Sequence, residues 1–250
     1  MYSAASYARV RRRGRPVPLT QIMNRQGSDK GTVHGYRQGL FVGHAFTEIY
    51  ERLFSDLRDK PITLLEVGIG PTEPGVLRAT PLSRGVRGGS AAGWQEYFAK
   101  GDVHAMDILD CRGLDRERLT THVGDQGSRE SMAAVVASIG KPIDIIIDDG
   151  SHQSRHQQLT LACLFPALAD DGVYIIEDLD WQPEESADMP KTLDLLRELQ
   201  TTGTFSSPEL DDAERAEIER SVVVETVHIG DNRNPGVLAV LRKRQKGSTD

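Results

Sequence analysis

The run Ile143-Asp144-Ile145-Ile146-Ile147 constrains the fold more than any other segment, because β-branched residues favour a strand and this one has almost no polar face. A strand of that kind has to be covered on both sides, as in parallel sheets flanked by helices. Residues 62–67 read the same way and stop at Gly68, residues 103–107 follow, and residues 173–176 form another such run. Helical spacing fills the intervals. Phe46, Ile49, Tyr50 and Leu53 stand at i, i+3, i+4 and i+7, Met132, Val135, Val136 and Ile139 repeat the spacing before Gly140, and Leu161, Leu164, Phe165 and Leu168 precede the turn Asp170-Asp171-Gly172. Trp94 and Phe98 mark a further helix over residues 90–100. Sustained strand–helix alternation predicts an α/β fold, a Rossmann-like parallel sheet with helices on both faces.

The C-terminal part reads differently. Ser207-Pro208 has the composition of a helix cap with proline in the first turn, which predicts an acidic helix opening there. Residues 222–229 and 237–241 then flank the loop from Gly230 to Gly236 and predict a closing antiparallel β-hairpin. In this the pattern resembles the class I S-adenosylmethionine-dependent methyltransferases, whose parallel sheet ends in such a hairpin.

With 250 residues the chain can bury one sizeable core. Residues 1–43, rich in Arg, Gly and Gln and weak in periodicity, are expected to form an N-terminal arm or cap, residues 44–250 the main domain, and the Pro- and Gly-rich residues 70–89 an inserted loop or lid. A net charge of -7 argues against a broad nucleic-acid surface, and the short basic run at Arg11, Arg12, Arg13 and Arg15 reads as a solvated tail. Cys111 and Cys163 are too few for a disulfide framework, and no apolar stretch suits a leader or a membrane span. These features predict a cytoplasmic protein acting on a small molecule or oligosaccharide, without nucleic acid or membrane. The arm would suit exchange between subunits, so a homo-oligomer is expected.

In an open parallel sheet, ligands sit beyond the carboxyl ends of the strands. The first strand delivers Glu66-Val67-Gly68-Ile69-Gly70, where missing side chains let a ligand approach the backbone, although the third glycine of a dinucleotide fingerprint is absent. Asp107 ends the second strand, where a carboxylate accepts hydrogen bonds from ribose hydroxyls, so an adenosyl cofactor is implied. Asp125 and Gln126 stand where an adenine edge could be met. Beyond adjacent strands lie Asp148-Asp149-Gly150-Ser151-His152 and Glu177-Asp178. Carboxylates that close need a cation, and hard oxygen ligands suit Mg²⁺ or Mn²⁺; Asp149, Glu177 and Asp178 are assigned to it. The competing reading makes them helix caps and solvated loop acids. His152 is placed to take a proton from a hydroxyl that the metal polarises, and His156, one helical turn later, supports the loop.

These motifs resemble the metal-dependent sugar O-methyltransferases of the mycinamicin and macrocin type. The likeness also covers Ser28-Asp29-Lys30-Gly31-Thr32 with His34 and Tyr36, and Gly88-Gly89-Ser90 before Trp94, so it spans residues 27–180. It implies S-adenosylmethionine as cofactor, with Glu66, Gly68, Gly70, Ser90, Asp107, Asp125, Gln126 and Asp148 around it, Mg²⁺ on Asp149, Glu177 and Asp178, and His152 as base. It implies a sugar hydroxyl as acceptor, on an antibiotic deoxysugar or a mannose- or rhamnose-type unit of a polysaccharide or glycolipid. His34, Tyr36 and Trp181 could line the sugar site. The chain departs from the family pattern in residues 71–86, a longer Pro-rich loop. Two rivals remain: a non-haem iron, 2-oxoglutarate-dependent hydroxylase using His152, His156 and Asp149, since relatives of the family carry a cephalosporin hydroxylase label, and a non-catalytic S-adenosylmethionine-binding module.

Overall fold

The computed structural model describes residues 16–36, 39–70, 88–180, 188–229 and 236–245, with the backbone alone for residues 33–36, 39–42 and 228–229. The chain opens with α1 (Leu19–Gln26), a small hairpin of β1 (Val33–Tyr36) and β2 (Gly39–Val42), and α2 (Thr47–Phe54). The alternating part follows as β3 (Thr63–Val67), α3 (Gly89–Tyr97), β4 (Asp102–Asp107), β5 (Leu119–Val123), α4 (Arg129–Ile139), β6 (Ile143–Asp148), α5 (Ser154–Leu164) and β7 (Leu168–Ile176). It ends with α6 (Thr192–Thr202), α7 (Asp212–Ser221), β8 (Val222–Ile229) and β9 (Gly236–Lys243).

The main sheet has seven strands in the order β5-β4-β3-β6-β7-β9-β8. The first five in that order pair in parallel, whereas β9 runs antiparallel to both β7 and β8, so the expected hairpin closes the sheet. Alternation along each strand divides the core in two. Leu64, Ala105, Ile145, Ile147 and Ile175 pack with Ile22, Tyr50 and Trp94 beneath α1, α2 and α3. Leu65, Met106, Ile146, Tyr174 and Ile176 face Met132, Leu161 and Leu199 of α4, α5 and α6. Burial on both faces is why β3 and β6 read as near-continuous apolar runs. Leu19, Ile22 and Met23 of α1 are fully buried in the first of these cores, so the N-terminal segment is tied to the sheet by apolar packing. No helix among the described residues is long and apolar enough to cross a membrane.

Several expectations shift. Ser207-Pro208 opens no helix: α7 begins at Asp212, capped by Asp211, which accepts from the Ala213 and Glu214 amides while Glu214 reaches back to the Asp211 amide. A reciprocal cap satisfies two otherwise orphaned donors and outcompetes the single Ser-Pro signal. The turn at Asp170-Asp171-Gly172 lies within β7 as an irregularity, Leu168 pairing with Ile143 and Val173 with Ile145. Helix α6 and the β1–β2 hairpin were not foreseen, although Thr192, Leu195, Leu196 and Leu199 carry helical spacing and are buried. The loop assigned to residues 70–89 lies, over residues 71–87, outside the described residues.

Candidate active site

Strands β3, β6 and β7 are neighbours, so their carboxyl ends gather Glu66, Asp148-Asp149 and Glu177-Asp178 at one edge of the sheet. The backbone ladder continues past the strands: the Asp149 amide donates to the Val67 carbonyl at 2.9 Å and the Glu177 amide to the Asp148 carbonyl at 3.0 Å. Gly68 makes room for this. Its φ is +82°, and a Cβ there would stand 2.2 Å from the Asp149 carbonyl oxygen. The first glycine of the G-x-G pair is therefore required by the loop after β6, whose backbone crosses it.

His152 and Asp178 both adopt left-handed backbone conformations, with φ of 60° and 53°. A side chain raises the cost of that region, and such strain persists where surrounding structure holds it, commonly at functional sites. The strain turns the two side chains toward each other: His152 Nε2 lies 3.8 Å from Asp178 Oδ2. Asp149, His152 and Asp178 each offer a ligand atom, all within 4.8 Å of one another. The other oxygen of Asp178 is 4.0 Å from Nδ1 of His44. His156 is turned elsewhere, its Nδ1 2.8 Å from Ser151 Oγ.

Behind this trio lies a buried ion cluster. The Lys30 ammonium, with 1% of its side chain exposed, donates to both oxygens of Glu177 at 2.9 Å and lies 3.4 Å from Glu66 Oε1. It also contacts Asp149 Oδ2, and Tyr50 donates its hydroxyl hydrogen bond to Glu177. Glu66 accepts from Ser90 Oγ at 2.8 Å and from Trp94 Nε1 at 3.2 Å. Lys30 is delivered by a backbone clasp: the His44 amide donates to the Asp29 carbonyl at 2.7 Å, Ala45 to Gly31 at 2.8 Å and Thr47 to Lys30 at 3.1 Å. Burial alone would push the Lys30 ammonium down, but Asp149, Glu177 and Glu66 together hold it well above its ordinary value, so it stays charged. One cation cannot neutralise so many acids. Burial, with Asp149 adding to it, therefore holds Glu66 up at about 7 against the pull of Lys30, and raises Asp178 as well.

The cofactor candidates are spread around this core. Asp107 is buried, accepting from the Leu109 amide at 3.0 Å and the Ile69 amide at 3.3 Å. Gln126 is also buried; it donates to Asp148 Oδ1 at 2.7 Å and accepts from the Ser151 amide at 2.9 Å, so it braces the His152 loop. Asp125 is exposed and accepts from the Gly127 amide at 2.8 Å, and Gly70 is exposed with φ of 136°. Ser90 and Glu66 bond to each other inside the protein. Asp148 differs from its neighbours. Its Oδ2 is buried and meets no donor among the described residues, and burial pushes its carboxyl up to about 8. The side chains of His34 and Tyr36, and all of Trp181, lie outside the described residues.

Sequence reasoning missed Lys30, Tyr50 and His44. Lys30 stands inside the Ser28–Thr32 motif with nothing there to give it a role, and Tyr50 falls on an apolar helical stripe that hides its hydroxyl. Nothing in the spacing of His44 marks it.

No family model matches the sequence. Over 167 residues the chain is 37% identical to the 8-demethyl-8-α-L-rhamnosyl tetracenomycin-C 2′-O-methyltransferase of Streptomyces olivaceus, a match covering 66% of this chain and 39% of that protein. It is 35% identical over 136 residues to the mycinamicin VI 2″-O-methyltransferase of Micromonospora griseorubida, covering 54% of this chain and 32% of that protein. The chain thus spans about two fifths or less of the curated relatives it matches. Among solved structures it is similar to the MycE methyltransferase of the mycinamycin pathway in complex with Mg, SAH and mycinamycin VI, with a TM-score of 0.66, 25% identity, and coverage of 94% of this chain and 57% of that one. The architecture is therefore the class I S-adenosylmethionine-dependent methyltransferase fold, and the resemblance read from the motifs leads to sugar O-methyltransferases.

Proposed function

We propose that this chain carries an S-adenosylmethionine- and Mg²⁺-dependent O-methyltransferase acting on a sugar hydroxyl of a glycoside. The observation that supports it best is the trio Asp149, His152 and Asp178, converging within 4.8 Å beyond the strand ends of this fold, two of the three held in strained backbone. The residues fit the groups. Asp149 and Asp178, with Glu177 behind them, form a hard-oxygen donor set for Mg²⁺ or Mn²⁺. Asp148 Oδ2, a buried acceptor short of a donor, fits a cationic group such as the cofactor's amino group, which would return it to the carboxylate form.

When bound, S-adenosylmethionine supplies a sulfonium methyl and the divalent ion polarises the acceptor hydroxyl. The protein's part is to place and deprotonate. His152 takes the hydroxyl proton at Nε2, and Asp178, 3.8 Å away, stabilises the imidazolium that results. Gln126 and the Gly68 crossing hold the His152 loop on β3, so that positioning contributes much of the rate. Asp107 takes the ribose, with Gly70 and Asp125 at the rim, and the acceptor is a small-molecule or oligosaccharide glycoside.

The iron hydroxylase reading loses the second histidine it named, because His156 bonds Ser151 and stands outside the ligand trio, and the carboxylates of Asp149, Asp178 and Glu177 there suit Mg²⁺ better than iron. A non-catalytic binding module would not need a base beside a strained carboxylate. In this reading residues 1–43 are an N-terminal arm or cap and residues 70–89 an inserted loop or lid, of which residues 1–15 and 71–87 lie outside the described residues. We also place the protein in the cytoplasm as a homo-oligomer, the location supported by a cysteine count too small for a disulfide framework.

The test is calorimetric titration with S-adenosylmethionine and S-adenosylhomocysteine, with Mg²⁺ and with chelator, followed by an acceptor screen for methyl transfer. Micromolar cofactor binding with Mg²⁺-dependent turnover on a glycoside is the expected result. No binding of either nucleoside would sink the proposal.

A further inference from the structure

We propose that Lys30 is a resident cation of the metal site, a positioning residue whose ammonium a divalent ion must displace from Asp149 while it keeps its hold on Glu177 and Glu66. The inference deepens the metal-site reading above and rests on it.

The geometry is specific. Lys30 does not pair with one acid, as an ordinary buried lysine would. Its Nζ is shared among Glu177 at 2.9 Å, Glu66 at 3.4 Å and Asp149, and each comes from the end of a different strand. Asp149 is the member that Lys30 has in common with the trio Asp149, His152 and Asp178. An ion held between Asp149 and Asp178 and the ammonium therefore compete for the Asp149 carboxylate and repel each other. Glu177 is anchored independently by Tyr50, and Glu66 by Ser90 and Trp94, so both stay in place when Asp149 changes partner.

Two roles follow. Without metal, Lys30 keeps the acids from repelling one another apart, so the site is assembled before the ion arrives. With metal, its charge weakens ion binding. A merely structural lysine would give the first effect without the second. The N-terminal segment then sets the metal affinity of a site built by the sheet, because the Thr47 amide on the Lys30 carbonyl and the neighbouring clasp bonds fix where the ammonium sits.

The experiment is Mn²⁺ titration of the full chain, followed by electron paramagnetic resonance of the free ion, on the wild type, Lys30→Met and Lys30→Arg, with melting temperatures of each metal-free and metal-loaded form. Lys30→Met should melt below the wild type without metal, bind Mn²⁺ about tenfold or more tightly, and gain more in melting temperature from Mn²⁺ than the wild type does. Lys30→Arg, which keeps the charge, should return the affinity toward the wild-type value. Equal or weaker Mn²⁺ binding by Lys30→Met overturns the inference. If Lys30→Met folds neither with nor without Mn²⁺, Lys30→Gln, which keeps a donor but loses the charge, takes its place in the same comparison. A wild type that binds no Mn²⁺ removes the metal-site reading and the inference together, whereas wild-type binding with unchanged variant affinity removes only the role of Lys30.

Discussion

Among the described residues, two of the places where titratable side chains meet in this sheet are treated in opposite ways. Midway along β4 and near the end of β5, His104 Nδ1 lies 3.0 Å from His122 Nε2. Both rings are half-buried and pushed down by burial, His104 to about 4, where the charges of His122 and Lys141 add to the effect. No carboxylate bonds either ring among the described residues, and the pair stays neutral. At the ends of β3, β6 and β7, burial also works against charge, yet there the chain inserts Lys30 and holds His152 and Asp178 in strained backbone. Going neutral is the low-energy answer for a buried group without a task. Retaining charge at the cost of strain marks the place where charge is used.

The sharpest way to break this contrast is to remove the base. His152→Ala should leave S-adenosylmethionine binding intact while lowering turnover about 10² to 10⁴-fold, the usual contribution of general-base catalysis. Single-turnover methyl transfer alongside cofactor calorimetry checks it, and near-normal turnover would remove His152 from its role. Exchange of the imidazole pair, His104→Phe with His122→Phe, should cost turnover almost nothing.

Next in size is the crossing that brings β3 and β6 together. A Cβ at Gly68 would meet the Asp149 carbonyl oxygen at 2.2 Å and the Gly150 Cα at 2.7 Å, both backbone atoms, in a conformation with φ of +82°. Gly68→Ala should cost about 3 kcal/mol, through strain and displacement of the Asp149 loop. Urea unfolding measures that loss, and a variant within 0.5 kcal/mol of wild type, roughly the scatter of ordinary surface changes, would mean that the loop relaxes freely and that Asp149 is not held as described.

How much of this was legible in sequence follows from which forces leave a local trace. Periodicity reports burial, so β3, β6 and α4 were readable from Leu64, Ile146 or Met132 alone, and strand ends point to the ligand edge in any parallel sheet. Asp149, His152 and Asp178 were found for that reason. Lys30 and His44 were not, because the clasp that carries them is made of backbone hydrogen bonds between residues 29–32 and 43–47, which composition does not record. Tyr50 was counted as an apolar residue, correctly for its ring and incompletely for its hydroxyl. Gly68 is legible as a place where a ligand can approach the backbone, but spacing does not announce that its missing side chain also makes room for the Asp149 loop.

The smallest expected effect tests the contrast through pH, since the two places should tilt stability in opposite directions. Asp148, held at about 8, and Glu66, at about 7, are raised above ordinary carboxylates. Their contribution to the metal-free, cofactor-free protein is complete below about pH 4 and is lost as pH rises through 7 and 8. His104 is depressed to about 4, so its contribution is complete above about pH 6.5 and is lost as pH falls toward 4. The metal-free melting temperature should therefore fall as pH rises from about 4 to 9, because the two raised acids outweigh the one depressed imidazole, which only blunts the fall below about pH 6.5. Asp148→Asn should flatten the fall. His104→Phe should steepen its acid part by no more than a few degrees, because the ring is only half-buried and solvent screens it. Thermal unfolding between pH 4 and 9 separates the two. A slope below pH 6.5 that His104→Phe leaves unchanged would leave the imidazole pair as neutral packing with no weight in stability.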